Sequence, residues 1–186
     1  MNMKRILVGL LLSLVGGGCW AVEPLAVQNF EGEAAVGLSM PLGSYRAGHS
    51  EAGVGLGLAL RYNVPSTPLD AGVFVRLDCA QRSFPESGYS GNQNNRALCI
   101  GVSGAWNFRQ GRKVNPFAEL GIGVAQNDVV GSRAYPVKST SAAFVPKIGC
   151  EFFHHIRVHA YCQFSRKGFN TYGLSLGVVI GGRAKK

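Results

Sequence analysis

Eight times between residues 31 and 180 the sequence alternates a large apolar side chain with a small or polar one. A period of two is the signature of a β-strand with two different faces. The segments are Glu31–Leu42, Ala52–Tyr62, Asp70–Arg82, Arg96–Phe108, Asn115–Gln126, Ser141–Phe152, Arg157–Arg166 and Thr171–Ile180. The two faces are unlike those of a water-soluble sheet. In the second segment Val54, Leu56, Leu58 and Leu60 share one face, and Gly53, Gly55, Gly57, Ala59 and Arg61 share the other. In the fifth, Ala118, Leu120, Ile122 and Val124 oppose Phe117, Glu119, Gly121 and Gly123. The face without bulky aliphatics mixes Gly, Ala and Ser with isolated charges. A soluble sandwich would turn that face to water and leave its glycines unpacked. A narrow closed barrel needs small side chains inside and pairs charges across its lumen. The pattern predicts an all-β fold, an eight-stranded antiparallel up-and-down barrel with its aliphatic face outward. Each strand is long enough to cross a bilayer when tilted, which takes roughly 9–11 residues.

The first residues do not share the pattern. Lys4 and Arg5 precede an apolar run from Ile6 to Val15, which Gly16, Gly17 and Gly18 end. This is the layout of a secretory signal peptide, with Cys19-Trp20-Ala21 supplying the small residues of a cleavage site after Ala21. The alternative is a lipid anchor on Cys19. The expected division is a signal peptide over 1–21 and one barrel domain over 22–186. The 26 glycines argue against a helical domain, since each helix-interior Gly costs roughly 0.5–1 kcal/mol relative to Ala.

Connector lengths alternate as well. Gly43–Glu51, Ser83–Asn95 and Asn127–Thr140 are long, whereas Asn63–Leu69, Arg109–Val114 and Phe153–Ile156 are short. Lys167–Asn170 departs from the alternation. Long turns at one end and short ones at the other are the habit of outer-membrane barrels, the short turns being periplasmic. An even number of strands then puts both termini in the periplasm. Tyr62, Trp106, Phe108, Phe152 and Tyr172 are candidates for aromatic girdles at the two interfaces.

Four stretches carry a family likeness: Gly53-Val54-Gly55-Leu56-Gly57; Pro116-Phe117-Ala118-Glu119-Leu120-Gly121-Ile122-Gly123-Val124; Pro146-Lys147-Ile148-Gly149-Cys150-Glu151-Phe152-Phe153; and Leu174-Ser175-Leu176-Gly177-Val178-Val179-Ile180-Gly181-Gly182. On these the chain resembles the small, porin-like, eight-stranded outer-membrane β-barrel proteins of Gram-negative bacteria, over about residues 30–182. The resemblance implies outer-membrane residence in the cell envelope and insertion by the outer-membrane insertion machinery. It implies contact with outer-membrane lipid and lipopolysaccharide, and no activity, since these are strand patterns rather than catalytic signatures. A monomer is expected. Eight strands leave a lumen filled by side chains, so a general diffusion pore is not expected.

Several constellations remain. Arg76, Asp78, Glu119, Lys147 and His159 fall on the inward face and form an expected lumen charge cluster, with His159 facing Glu119 or Asp78. Cys79, Cys99, Cys150 and Cys162 are an even number in an oxidising compartment, so disulfides are candidates. Cys150 and Cys162 share the apolar face across a short turn. Cys79 and Cys99 have opposite parity and need a bulge to meet. No metal-ligand spacing occurs, so no metal and no cofactor are expected. The formal charge of +9 admits nucleic acid in principle, but an exported chain meets glycolipid phosphate instead. Arg46, Arg82, Arg133, Lys138, Arg166 and Lys167 are the candidate contacts, because basic side chains match phosphate oxygens. His49-Ser50-Glu51 lies in a long connector and His154-His155 in a short one. Neither makes a catalytic group by sequence, and no catalytic residue is assigned. The expected role is a non-enzymatic barrel, structural or adhesive through its long connectors. The alternatives are a lipid-modifying barrel enzyme and a soluble lipocalin-like barrel.

Overall fold

The computed structural model describes residues 27–42, 49–83, 92–130, 138–166 and 169–181, with backbone only at 49–51, 81–83, 92–94 and 129–130. The expected signal peptide and cleavage site, with Cys19, lie outside the described residues. The strands are β1 (Phe30–Pro41), β2 (His49–Glu51), β3 (Gly53–Asn63), β4 (Leu69–Ser83), β5 (Asn92–Asn107), β6 (Val114–Val130), β7 (Lys138–Phe152), β8 (Ile156–Gln163) and β9 (Thr171–Gly181). Strands β2 and β3 both pair with β4 and are two pieces of one strand, interrupted at Ala52. All neighbours are antiparallel. Pairing of β9 with β1 and of β4 with β5 closes the sheet into a barrel of eight strands.

The register sets the stagger. An outward path runs from Phe30 to Tyr62, Ala71, Gly104, Leu120 and Pro146. It continues opposite Pro146 at Cys162, then to Tyr172, and re-enters β1 at Met40, ten residues on from Phe30. Such a stagger forces the strands to tilt by roughly 35–45°. Pro146 interrupts the ladder between β7 and β8, because it has no N–H to give. Pairing ends at Lys147–Tyr161 and resumes at the Phe144–Phe164 bridge.

Large apolar side chains on the outside are exposed all round the barrel: Leu38, Leu58, Val73, Val102, Ile122, Phe144, Val158 and Leu176 are examples from successive strands. On β6 the outward apolar run extends from Val114 to Val124, and Arg112 and Lys113 below it and Gln126 above it are exposed. That run is about 34 Å of strand, or ~26 Å along the axis at a tilt of about 40°. An outer-membrane barrel carries an apolar band of about 25 Å. Aromatic residues edge the band. Phe30, Tyr62, Trp106 and Phe153 are exposed at the short-turn end, and Phe144, Phe164 and Tyr172 at the other. Of the girdle candidates, Phe108 and Phe152 are half-buried. An exterior this apolar is solvated by hydrocarbon, and within the band the closed sheet pairs the backbone groups except where Pro146 breaks the ladder, as a membrane favours.

Strands β4 to β7 are longer than the alternation predicts. β5 starts at Asn92 rather than Arg96, β6 runs to Val130 rather than Gln126, and β7 starts at Lys138 rather than Ser141. Beyond the apolar band both faces meet polar surroundings, so the period-two contrast vanishes while the hydrogen-bonded ladder continues. The short turns hold left-handed residues: Ser66 at φ 60°, Gly111 at 75°, and Phe153 and His154 at 54° and 64°.

Candidate functional site: the lumen and the long-connector rim

Inward positions are odd-numbered on β1, β3 and β5 to β9 and even-numbered on β4. The tilt brings these columns together in two charged layers. In the layer nearer the short turns, Arg61 is 1% exposed and its guanidinium spans two carboxylates of β1. Its Nη2 lies 2.6 Å from Glu31 Oε1, its Nε donates to the same oxygen at 2.9 Å, and its Nη1 donates to Glu33 Oε2. Arg157 Nη1 stands 3.5 Å from both glutamates, and its guanidinium lies over the Phe117 ring at 3.7 Å. Lys147 Nζ donates to Glu119 Oε1 at 2.7 Å. At the floor, Asn107 and Gln110 donate to Asp70, and Asn115 donates to Asn107.

The second layer centres on Asp78, which is fully buried. Arg76 Nη2 is 3.1 Å from Asp78 Oδ1, and Arg76 Nε donates to Oδ2 at 3.2 Å. Tyr161 Oη donates to Oδ1 at 2.9 Å and Thr171 Oγ1 to Oδ2 at 3.0 Å. The Arg76 guanidinium also covers the Tyr161 ring at 3.1 Å. Beside these layers Phe74 packs with Cys99, Ala125, Ala143 and Val145. Gly121 makes room for that ring: a Cβ there would come within 2.7 Å of Phe74 Cε1. Burying so many charges is favourable only because each is held by a partner.

All five residues of the expected lumen cluster are buried or half-buried inside the barrel, but they do not form one group. Glu119 with Lys147 and Arg76 with Asp78 are separate pairs. The expectation for His159 needs correction. Its Nδ1 faces Glu33 Oε1 at 3.7 Å, not Glu119 or Asp78, and its ring stands edge-on to Phe117 and Tyr161. Charged lumen groups outside the expected cluster are Glu31, Glu33, Arg61, Glu151 and Arg157, with Asp70 at the floor; alternation puts Glu33, Arg61 and Glu151 on inward faces without assigning them to the cluster. Their parity with Ala35, Ala59, Gly149 and His159 is the signal that places them.

The disulfide candidates also need correction. Cys79, Cys99, Cys150 and Cys162 are free thiols. Cys150 lies opposite Val158, and the position opposite Cys162 is that of Pro146, four residues along β7. That offset is about 13 Å of strand, beyond the reach of a disulfide. Cys79 pairs with Arg96 and Cys99 with Arg76 in a ladder unbroken from Leu69 to Ser83, so the bulge that would align them is absent.

Among the candidate phosphate contacts, Lys138 and Arg166 are exposed at the long-connector rim. Arg46, Arg133 and Lys167 lie outside the described residues, and of Arg82 only the β4 backbone is described. Arg96, not singled out from the sequence, is half-exposed and pairs with Asp128 at 2.8 Å. Lys138 is the register partner of Asp128 on the other side. The His49-Ser50-Glu51 segment forms β2 against Gln81–Ser83. His154 and His155 sit in the turn at the opposite end, and His155 Nδ1 lies 3.2 Å from the Val179 carbonyl oxygen.

A closed eight-stranded barrel with an apolar exterior and a charge-filled interior defines a membrane β-barrel. Its chain shares the fold of known outer-membrane barrels. Neisserial surface protein A superposes with a TM-score of 0.53 at 15% sequence identity, over 83% of this chain and 98% of that one. Ail of Yersinia pestis, solved with the heparin analogue sucrose octasulfate, gives 0.48 at 14%, over 84% and 100%. The outer membrane enzyme PagL gives 0.46 at 20%, over 81% and 98%. No protein-family model and no curated protein sequence matches the chain.

Proposed function

We propose that this protein resides in the outer membrane with both termini in the periplasm, and that it works by binding at its extracellular rim rather than by catalysis. One observation carries the reading. On β4 to β7 the sheet continues past the apolar band, with β6 reaching Val130 while the outward apolar run stops at Val124. A polar wall standing clear of the membrane is a place for contact, and it is built on rigid strands. The lumen supports the same division of labour. Several of its acids and bases are engaged with one another, as Glu119 is with Lys147 and Asp78 with Arg76.

The first ligand of that rim is glycolipid phosphate. Arg96 and Lys138 flank Asp128 on the outer surface just beyond the band, at the depth of lipid headgroups, and Arg166 adds an exposed charge at the same rim. Basic side chains there neutralise phosphates that the hydrocarbon below cannot solvate.

The test has two arms. Carbonate-washed membranes should retain the protein in the outer-membrane fraction, with a band that migrates differently before and after heating; release as a soluble protein overturns the membrane assignment. Purified protein should then capture vesicles containing lipid A in preference to phosphatidylcholine vesicles, and Arg96→Ala with Lys138→Ala should weaken that preference. A chemically altered glycolipid found only in expressing cells would replace the binding reading with an enzymatic one.

A further inference from the structure

We propose that the middle of the lumen contains a built site for one ordered water molecule, held between His159, Glu33 and Lys147. His159 is 3% exposed, yet neither ring nitrogen has a hydrogen-bond partner among the described residues. Its closest carboxylate oxygen, on Glu33, is 3.7 Å away, too far for a direct hydrogen bond. The rings of Phe117 and Tyr161 stand edge-on to the imidazole and fix its position. Leaving such a group unsatisfied in a dry interior is costly, so a polar occupant is called for.

The space for it is present. A small, half-open volume is lined by Glu33, Ala35, Gly57, Arg76, Lys147 and His159, with Ala59 and Phe74 beside them. It has room for about one water. Small side chains on β1 and β3 create it. A Cβ built on Gly57 would meet only Ala35 Cβ and Arg76 Nη1, both at 3.8 Å, which is ordinary contact. Gly121, by contrast, is already filled by Phe74. The charges around the cavity are each committed elsewhere: Glu33 to Arg61, Lys147 to Glu119 and Arg76 to Asp78. A balanced surround selects a neutral, two-way hydrogen-bonding ligand, which water is and a bare ion is not.

A double-mutant cycle tests the site in vesicle-folded protein. Gly57→Val fills the cavity with hydrocarbon, and His159→Phe removes the nitrogens the water serves. With a bound water, Gly57→Val lowers the urea midpoint when His159 is present and has little effect, or raises it, in the His159→Phe background. A dry cavity gives a different pattern: His159→Phe raises the midpoint by itself, and Gly57→Val shifts it equally in both backgrounds, which overturns the proposal. Should either variant not fold, magnetisation transfer from water to the His159 ring protons of the unaltered protein in micelles decides the matter. A cross-peak from a long-lived water supports the site, and its absence with an otherwise resolved ring signal rejects it.

Discussion

At the scale of single residues, the face a side chain occupies determines what its loss costs. Leu120 is exposed at mid-strand in the apolar band, whereas Lys138 is exposed beyond it. Leu120→Arg puts a charge into hydrocarbon and should cost roughly 2–4 kcal/mol of folding stability. Lys138→Ala should cost almost nothing. Folding into lipid vesicles, read by the heat-sensitive gel shift, separates them, and equal folding would show that Leu120 does not face lipid. Charged pairs obey the same contrast. Arg61→Met takes from Glu31 and Glu33 their closest cation, leaving them only the longer contacts to Arg157, and should cost about 3–5 kcal/mol. Arg96→Ala breaks a half-exposed pair with Asp128 and should cost less than about 1 kcal/mol. Urea midpoints of the two variants check this order. The cysteines offer a third residue-level check: alkylation after unfolding without reductant should label all four thiols from Cys79 to Cys162. Fewer labels would mean that a bridge exists.

At the scale of the element, β7 has two chemically different edges. Phe144 N–H donates to the Phe164 carbonyl on the β8 side. By alternation, the even residues of β7 point their N–H groups that way and the odd residues point theirs to β6. No described residue pairs with Lys138–Ala143 on the β8 side, because β8 ends at Gln163. Pro is therefore tolerable at Thr140, whose N–H looks outward along the open edge, and damaging at Ser141, which pairs with Ala125 of β6. Thr140→Pro should leave the thermal unfolding midpoint of the barrel close to that of the parent, and Ser141→Pro should lower it. The reverse order would mean that the hydrogen-bonding phase of this strand is assigned to the wrong neighbour. Pro146 in the same strand already follows the rule, since its missing N–H falls on the β8 side.

For the whole molecule, the stagger of ten residues and the count of eight strands determine the lumen, and the lumen determines conductance. Two charged layers and the packed Phe74 ring occupy it, and the guanidinium of Arg157 is fully buried within it. Planar bilayers containing the protein should show little or no steady current. Large, stable openings would require the Arg61–Glu31–Glu33 and Arg76–Asp78 groups to come apart.

Alternation alone determined which residues face outward, because a strand turns each successive side chain to the opposite face. That is why the eight strands, the aliphatic exterior and the inward placement of Glu119, Lys147, Arg76 and Asp78 are legible in the amino-acid sequence. Beyond Gln126 on β6 and before Arg96 on β5, lipid no longer distinguishes the two faces, so the sequence carries no mark of the strands continuing. Parity also says nothing about height or about position around the ring. Whether Cys150 meets Cys162, whether His159 meets Glu33 or Glu119, and which carboxylates Arg61 spans all depend on register and stagger. Those are properties of the closed sheet: each pairing shifts the next, and only the return of β9 onto β1 decides which inward side chains share a layer.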